Sequence, residues 1–337
     1  MPGSIPGSPT TPPGRFNLLA VGQGGRLQAE ALLLAASLRR ACPRFPGRLV
    51  IAEPQPGPLW PDDPRMTPEA RATLEGLGAA VLPFESRAFG QAYPHGNKVE
   101  ALALLPPHEP FLFLDTDTLV LGDLAAVPVA SSPPAASLRR ENTWPVEEPY
   151  LDADAVWSSL YDRFDLDFAS SLDPGRALWD WRRFLYFNAG WFCGPDPAEF
   201  GERFLRTALA IRDDPPEALA CQPLDPWLDQ VALPLVIHSL GGGRPGEALA
   251  GLDGAVTCHY RSFPLLYARE GDAVVEALEA LAAPNRLKRL LKEHEPLRRM
   301  VYQGGGGRAR ALFDRADLPR GEKALRQRLK AEGLWLR

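Results

Sequence analysis

Short apolar segments alternate with segments of helical spacing along the first third of the chain. This alternation constrains the fold most, because strands connected through helices usually pair in parallel and have helices on both faces. The predicted strands are Phe16–Val21, Arg48–Ala52, Ala79–Pro83 and Phe111–Leu114, and the predicted helices are Leu27–Arg40, Thr67–Leu77 and Asn97–Leu105. We therefore expect an α/β protein with a mostly parallel, Rossmann-like sheet flanked by helices.

The remaining two thirds of the chain continue this pattern less regularly. Here the predicted strands are Phe187–Cys193 and Ala255–His259, and the predicted helices are Asp152–Phe164, Pro197–Arg212, Pro226–Ile237, Ala273–Leu281, Arg286–Leu297 and a basic helix near residues 321–330. A break near residues 125–137 divides a predicted domain of residues 15–265 into halves of 15–125 and 126–265. Residues 1–14 are expected to be a disordered leader, and residues 266–337 a basic helical C-terminal segment.

Composition excludes several classes of protein. The four cysteines are scattered without a CxxC pair, which argues against a zinc ribbon and a disulfide framework. The net charge of −5 gives no reason to expect nucleic-acid binding. The N-terminus lacks the features of a signal peptide, and no apolar run approaches the roughly 20 residues that a membrane helix needs. These observations predict a cytoplasmic protein.

The C-terminal segment differs in charge from the rest of the chain. Residues 285–337 contain 15 Lys and Arg against 6 Asp and Glu, a balance of 15 − 6 = +9. Leucines at helical spacing lie among these basic residues, at Leu287, Leu290, Leu291 and Leu297. Such a helix either packs on its own domain or lies on an anionic membrane surface, so peripheral membrane contact is one expectation.

Two acids follow the fourth predicted strand directly, in the sequence Phe111-Leu112-Phe113-Leu114-Asp115-Thr116-Asp117. In open α/β sheets, ligands bind outside the carboxyl ends of the strands. Carboxylates there suit Mg²⁺ or Mn²⁺, which also take phosphate oxygens as ligands. Asp115 and Asp117 therefore predict a site for a metal and a diphosphate, unless both acids merely cap a turn.

The surroundings of this motif resemble a known family. The segment NKVEALALLPPHEPFLFLDTDTLVLGDL at residues 97–124 is similar to the core of the A-type (DxD) nucleotide-sugar glycosyltransferases, especially the family that includes glycogenin and bacterial galactosyltransferases. Phe187-Asn188-Ala189-Gly190 and Trp227-Leu228-Asp229-Gln230 resemble two further blocks of that family, in the same order. The resemblance covers about residues 15–265.

The resemblance implies roles for individual residues. Asp115, Asp117 and His259 would bind Mn²⁺ or Mg²⁺, Lys98 would approach the donor, and Asn188, Asp229 and Gln230 would surround the transferred sugar. Gly22, in a glycine-rich first loop, suits a sugar-nucleotide site. The family has a phosphate-binding lysine after its histidine, whereas this chain has Tyr260-Arg261, so Arg261 is expected to supply the cation.

The resemblance also implies a reaction. A nucleoside-diphosphate sugar, with a UDP-sugar favoured, would donate to an unknown glycan, lipid or protein hydroxyl. If the enzyme retains the anomeric configuration, Asp229 would orient the sugar; if it inverts, Asp229 is the first candidate for a general base.

Three alternatives remain open from the sequence. A haloacid-dehalogenase-type phosphatase also has a strand followed by DxD, but Thr118 lies one position out of its register. A dinucleotide-dependent oxidoreductase would use the glycine cluster after Val21 and an acid such as Glu53. A non-catalytic nucleotide-sugar-binding protein would share the site but need not keep both acids.

Overall fold

The protein is described here by a computed structural model, which covers residues 14–139, 144–146 and 151–336. The predicted leader, apart from Gly14, lies outside the described residues. The strands are β1 (Asn17–Val21), β2 (Leu49–Pro54), β3 (Ala79–Phe84), β4 (Phe111–Leu114), β5 (Thr118–Val120), β6 (Ala135–Ser137), β7 (Asn188–Gly194) and β8 (Thr257–His259).

The α-helices before the last strand are α1 (Arg26–Ala41), α2 (Pro68–Gly76), α3 (Asn97–Glu100), α4 (Ala153–Arg163), α5 (Phe168–Ser171), α6 (Pro197–Asp213) and α7 (Leu228–Ser239). Those after it are α8 (Phe263–Arg269), α9 (Asp272–Ala282), α10 (Asn285–Leu291), α11 (Glu295–Leu297), α12 (Gly305–Ala311) and α13 (Glu322–Ala331). Thr67 caps α2 by accepting from the Ala70 amide, with Pro68 in the first turn as predicted.

Six strands form the main sheet in the order β3-β2-β1-β4-β7-β6. β3, β2, β1 and β4 are parallel, and β7 runs antiparallel to both β4 and β6. The expected α/β class with a mostly parallel, Rossmann-like sheet is confirmed. Strands from both predicted halves belong to this sheet. The chain moves outward from β1 to β3 and then returns to place β4 on the other side of β1, which makes a crevice at the carboxyl ends of β1 and β4.

Alternating side chains of each central strand enter two hydrophobic cores. Leu112 and Leu114 of β4 pack with α1 and the C-terminal helices, whereas Phe111 and Phe113 pack on the opposite face with α4, α6 and α7. This burial on both faces explains why β4 reads as an unbroken apolar run.

A separate two-stranded ribbon pairs β5 with β8 in antiparallel register, with Thr118 opposite His259. The strand β5 was not predicted from the sequence, because its three residues are shorter than any pattern that indicates a strand. The ribbon joins the segment after the acid pair to a late part of the chain.

The C-terminal helices pack on the same face as α1. The helix predicted over Arg286–Leu297 is interrupted after α10, and a short helix restarts at Glu295 with Pro296 in its first turn. Its leucines are at most 8% exposed and belong to the core with α1. The apolar face that would contact a membrane is therefore occupied by the protein itself, and peripheral membrane contact stays a prediction. Within the described residues, no helix has the length and apolarity to cross a bilayer.

Candidate functional site

A cavity of about 710 Å³ lies at the crevice between the carboxyl ends of β1 and β4. Of the residues predicted for the site, it is lined by Lys98, Asp115, Asp117, Asn188, Asp229, Gln230, His259 and Arg261. Gly22 is not among its lining residues, although its neighbours Val21 and Gln23 are. The structure thus brings together side chains from distant parts of the chain at the predicted edge of the sheet.

Asp115, Asp117 and His259 form a compact group in this cavity. Each offers one ligand atom, and the three atoms lie within 4.8 Å of one another. Nε2 of His259 lies 3.0 Å from Oδ1 of Asp117 and 4.0 Å from Oδ2 of Asp115. Two carboxylates and one imidazole form a donor set that fits a divalent metal ion.

Backbone hydrogen bonds hold the two acids in place. The Asp115 amide donates to the Gly190 carbonyl at 2.8 Å, and the Tyr260 amide donates to the Asp117 carbonyl at 2.9 Å. Asp115 is thereby tied to β7 and Asp117 to the residue after His259. The separation of the ligands consequently depends on the pairing of strands.

Gly190 allows His259 to enter the group. A Cβ atom on Gly190 would lie 2.2 Å from Nδ1 and 2.5 Å from Cε1 of His259. Only a residue without a side chain leaves room for the imidazole at this distance. The sequence motif contains Gly190, but the need for a glycine there is visible only in the structure.

The charge around Asp117 favours its ionised form. Burial opposes ionisation, but attraction to His259 and then to Arg26 lowers the pKa of Asp117 below its ordinary range. The guanidinium of Arg26 lies 3.9 Å from Asp117 and 3.3 Å from Glu30. An ionised Asp117 is the form that ligates a metal.

Lys98 links the acid pair to α7. Its Nζ atom lies 3.1 Å from Oδ1 of Asp115 and 3.2 Å from Oδ2 of Asp229, and it donates to the Ala189 carbonyl at 3.3 Å. Burial would lower the pKa of Lys98, but the two carboxylates outweigh it and raise the pKa above its ordinary value. Lys98 is thus a fixed positive charge on the cavity wall.

Two tyrosines hold the polar side chains at the start of α7. The Tyr93 hydroxyl donates to Oδ1 of Asp229 at 2.9 Å and accepts from the Asp229 amide at 3.0 Å. The Tyr186 hydroxyl donates to Oε1 of Gln230 at 2.8 Å, so the amide nitrogen of Gln230 is the group that remains for a ligand. Both carboxylate oxygens of Asp229 have partners within the protein, Oδ1 in Tyr93 and Oδ2 in Lys98.

Asn188 shapes the start of β7. Its side-chain nitrogen donates to the Arg139 carbonyl at 3.1 Å, and its oxygen accepts from the Gly190 amide at 2.9 Å. Asn188 therefore both lines the cavity and hydrogen-bonds to Gly190, which lies beside His259.

Arg261 lies on the cavity wall beside the acids, with a positive φ of 65°. Its guanidinium pairs with Glu322 of α13 at 3.3 Å. Gly22 packs closely against its neighbours: a Cβ there would lie 2.4 Å from Cγ2 of Ile51 and 3.0 Å from Sδ of Met66.

Asn97, Glu30 and Trp227 are among the residues of the cavity wall that sequence reasoning missed. Asn97 is 1% exposed, and neither polar atom of its side chain has a hydrogen-bond partner among the described residues. Glu30 is also buried, and burial followed by the charge of Asp117 raises its pKa to about 8. Trp227 lines the cavity beside Asp229. Asn97 and Trp227 adjoin predicted site residues, which was the available signal. Glu30 has none, because a glutamate four residues after an arginine in a helix is an ordinary helical ion pair.

The residue required by the oxidoreductase alternative has a structural role. The Glu53 side chain is fully buried, where it accepts from the Met66 amide at 3.0 Å and pairs with Arg71. Glu53 is not among the residues that line the cavity. The residue expected to bind a ribose therefore contacts its own chain instead.

Comparisons with known proteins identify the family. The Rhodobacterales glycosyltransferase domain matches residues 18–241, which is more than half of the chain. No curated protein is similar in sequence at a significant level.

Two solved structures align with most of this chain at low sequence identity. An active-site mutant of LgtC has a TM-score of 0.49 and 12% identity, over 81% of this chain and 99% of its own. The galactosyltransferase LgtC in complex with donor and acceptor sugar analogs has a TM-score of 0.46 and 14% identity, over 82% of this chain and 100% of its own. From the family match, this chain belongs to the Rhodobacterales glycosyltransferase domain family and is a glycosyltransferase.

Proposed function

We propose that the enzyme transfers a sugar from a nucleoside-diphosphate sugar, with a UDP-sugar favoured, to an acceptor hydroxyl in a metal-dependent reaction. The observation that carries this proposal is the position of the three potential metal ligands in one cavity with Lys98. A diphosphate needs positive charge on more than one side, and this cavity offers a cation site beside an ammonium group.

Asp115, Asp117 and His259 are the residues that would hold Mn²⁺ or Mg²⁺. Negative charge on the leaving diphosphate would be neutralised by the cation bound there. Arg26 and Arg261 lie around Asp117 and supply further positive charge on that side.

Lys98, Asp229 and Gln230 are proposed to hold the transferred sugar. Lys98 is fixed by two carboxylates, and the Gln230 amide is fixed by Tyr186. Groups held in this way need little reorganisation when a ligand binds. The acceptor oxygen would bond to the anomeric carbon as the bond from that carbon to the diphosphate oxygen breaks, and the acceptor hydroxyl proton would pass to the departing diphosphate.

Asp229 is proposed to orient the sugar and Lys98, and not to act as a general base. It is 2% exposed, and both carboxylate oxygens have close partners in Tyr93 and Lys98. A general base needs an oxygen within reach of the acceptor proton. This arrangement supports the retaining reaction over the inverting one.

A thermal-shift panel tests the donor and the metal. UDP-, GDP-, CMP- and ADP-sugars are each added with and without Mn²⁺ to the wild type and to Asp117→Asn. A ligand at 100 times its dissociation constant adds about 2.7 kcal/mol to stability. We expect a Mn²⁺-dependent shift with one nucleotide, lost in Asp117→Asn and kept in the exposed control Asp214→Asn.

Nucleotide release from the responding donor, measured without an acceptor, then tests transfer to water. We expect Mn²⁺-dependent release that Asp117→Asn abolishes. If no nucleotide sugar shifts the melting temperature, with or without Mn²⁺, the proposed donor site is wrong.

A further inference from the structure

The C-terminal segment contributes to the wall of the same cavity. His294, Pro296, Arg326, Trp335 and Leu336 all line it, on the side of α1 that carries Arg26 and Leu27. The family match ends at residue 241, so these residues lie outside it. The role of this wall must therefore be inferred from its own contacts.

A buried carboxylate joins this segment to the metal-ligand group. Glu322, at the start of α13, pairs with Arg261 at 3.3 Å, with Arg269 at 3.3 Å, and with Arg326 one turn later. The side chain of Glu322 is 4% exposed. Arg261 follows His259 by two residues, so the ion pair between Glu322 and Arg261 connects α13 to the segment that carries the histidine of the metal-ligand group.

The wall also contains polar atoms that no described residue satisfies. Nε2 of His294 and Nε of Arg326 are buried without a hydrogen-bond partner among the described residues. Buried polar atoms are normally paired, so such atoms on a cavity wall are suited to a ligand. Burial, and then the charge of Arg26, lowers the pKa of His294, which keeps the imidazole neutral near pH 7.

The contacts of the two acids divide the cavity into two ends. Asp115 contacts Lys98, which leads to Asp229 and the start of α7. Asp117 contacts Arg26, and Arg261 is among the charges that act on it, so its side leads to α1 and the C-terminal segment. A donor whose diphosphate is held at the acids would extend its sugar to one end and its nucleoside to the other.

We propose that the C-terminal segment forms the nucleoside subsite, with Trp335, Arg326 and His294 holding the base and ribose. This inference rests on the proposed function. The guanidinium of Arg326 lies 5.4 Å from the Trp335 ring centre, which makes a cation–aromatic pair. Nucleic-acid bases stack on both aromatic rings and guanidinium planes.

The composition of this end favours a base over a phosphate. His294 is neutral, and the guanidinium of Arg326 lies against the Trp335 ring and shares the carboxylate of Glu322 with Arg261 and Arg269. Leu27, Pro296 and Leu336 add apolar surface. A flat, uncharged ring with hydrogen-bonding edges matches such a surface better than an anion does.

Isothermal titration of the full chain with two probes tests the subsite. The probes are the best-binding member of UDP, GDP, CDP and ADP, and inorganic pyrophosphate, both with Mn²⁺. The variants are Arg326→Gln and Trp335→Leu, which each remove one member of the cation–aromatic pair, and His294→Asn. Arg328→Gln, on the exposed face of α13, and Trp179→Leu, at a side chain that is 90% exposed, are matched controls.

We expect each wall variant to weaken nucleoside-diphosphate binding by about tenfold, the effect of losing one stacking or hydrogen-bonding contact. Pyrophosphate binding should not change, and the controls should bind both probes like the wild type. Thermal melts followed by circular dichroism identify any variant that fails to fold. The two remaining wall variants then decide the outcome.

Two outcomes would overturn the subsite. If a variant binds both probes more weakly by the same factor, the residue acts on the phosphates and not on the nucleoside. If nucleoside-diphosphate affinity is unchanged in all three variants, the C-terminal segment does not contact the ligand. Failure of the proposed function looks different, since the wild type itself would then bind none of the four nucleoside diphosphates.

Discussion

Nε2 of His259 lies 3.0 Å from Oδ1 of Asp117. The contact exists because β5, which directly follows Asp117, pairs with β8, which ends at His259. The imidazole and the acid pair therefore form one group only when this short ribbon is in register.

Replacement of Gly190 by alanine should disturb the metal-ligand group without changing a ligand. The new Cβ would lie 2.2 Å from Nδ1 of His259, so the imidazole must move away. We expect Gly190→Ala to weaken Mn²⁺ binding about tenfold or more, a loss similar to that of His259→Ala, as measured by electron paramagnetic resonance titration.

The matched control is Gly243→Ala, where an added Cβ meets nothing within 4 Å. His95→Ala is a second control, because His95 lines the cavity but is not in the ligand group. Full Mn²⁺ affinity in Gly190→Ala would contradict the proposed ligand role of His259.

Loss of the Lys98 charge should destabilise the fold. Lys98→Met leaves the buried carboxylate of Asp229 without its ion-pair partner, and breaking a buried pair from one side costs about 3–5 kcal/mol. The double variant Lys98→Met/Asp229→Asn should recover at least about 1 kcal/mol relative to the sum of the single changes. Urea denaturation measures the free energy of unfolding of the two single variants and the double variant, with exposed Lys330→Met as the control. If the two single losses add up to the loss in the double variant, Lys98 and Asp229 are not coupled.

Glu30 should make the stability of the metal-free protein depend on pH. Its pKa is raised from 4.5 to about 8 in the folded state, so the folded protein holds a proton that the unfolded chain has lost. Stability from this group is therefore lost as pH rises from about 4.5 to about 8.

In Glu30→Gln we expect the free energy of unfolding to fall less steeply with rising pH than in the wild type. Urea denaturation in EDTA at pH 5, 6, 7 and 8 measures this. Glu202→Gln, at an exposed carboxylate, should follow the wild type. An unchanged slope in Glu30→Gln would mean that Glu30 is already ionised throughout this range.

Gly22 should prove to be a packing residue. In Gly22→Ala the Cβ would overlap Ile51 and Met66, which costs about 1–3 kcal/mol of stability. Gly243→Ala, in open space, should stay within about 0.5 kcal/mol of the wild type. If Gly22→Ala instead lowers nucleotide affinity at full stability, then Gly22 contacts the ligand as the sequence suggested.

The sequence by itself determined the class of fold and the place of the acid pair. Strands buried on both faces are continuous apolar runs, so β4 and its helix-connected neighbours were visible as local patterns. Asp115 and Asp117 could be placed at a ligand-binding edge because they directly follow the carboxyl end of such a strand.

The tertiary structure alone decided how the site is completed. Gly190 has no local signal for its contact with His259, and nothing near Glu322 in the sequence indicates a link to Arg261. Three consecutive glycines begin α12 at residues 305–307, where the missing side chain of Gly306 lets the helix pack on the Tyr267 ring. Residue patterns encode the conformation of a short segment, whereas contacts between distant segments depend on the space and charge that the packed chain leaves for each side chain.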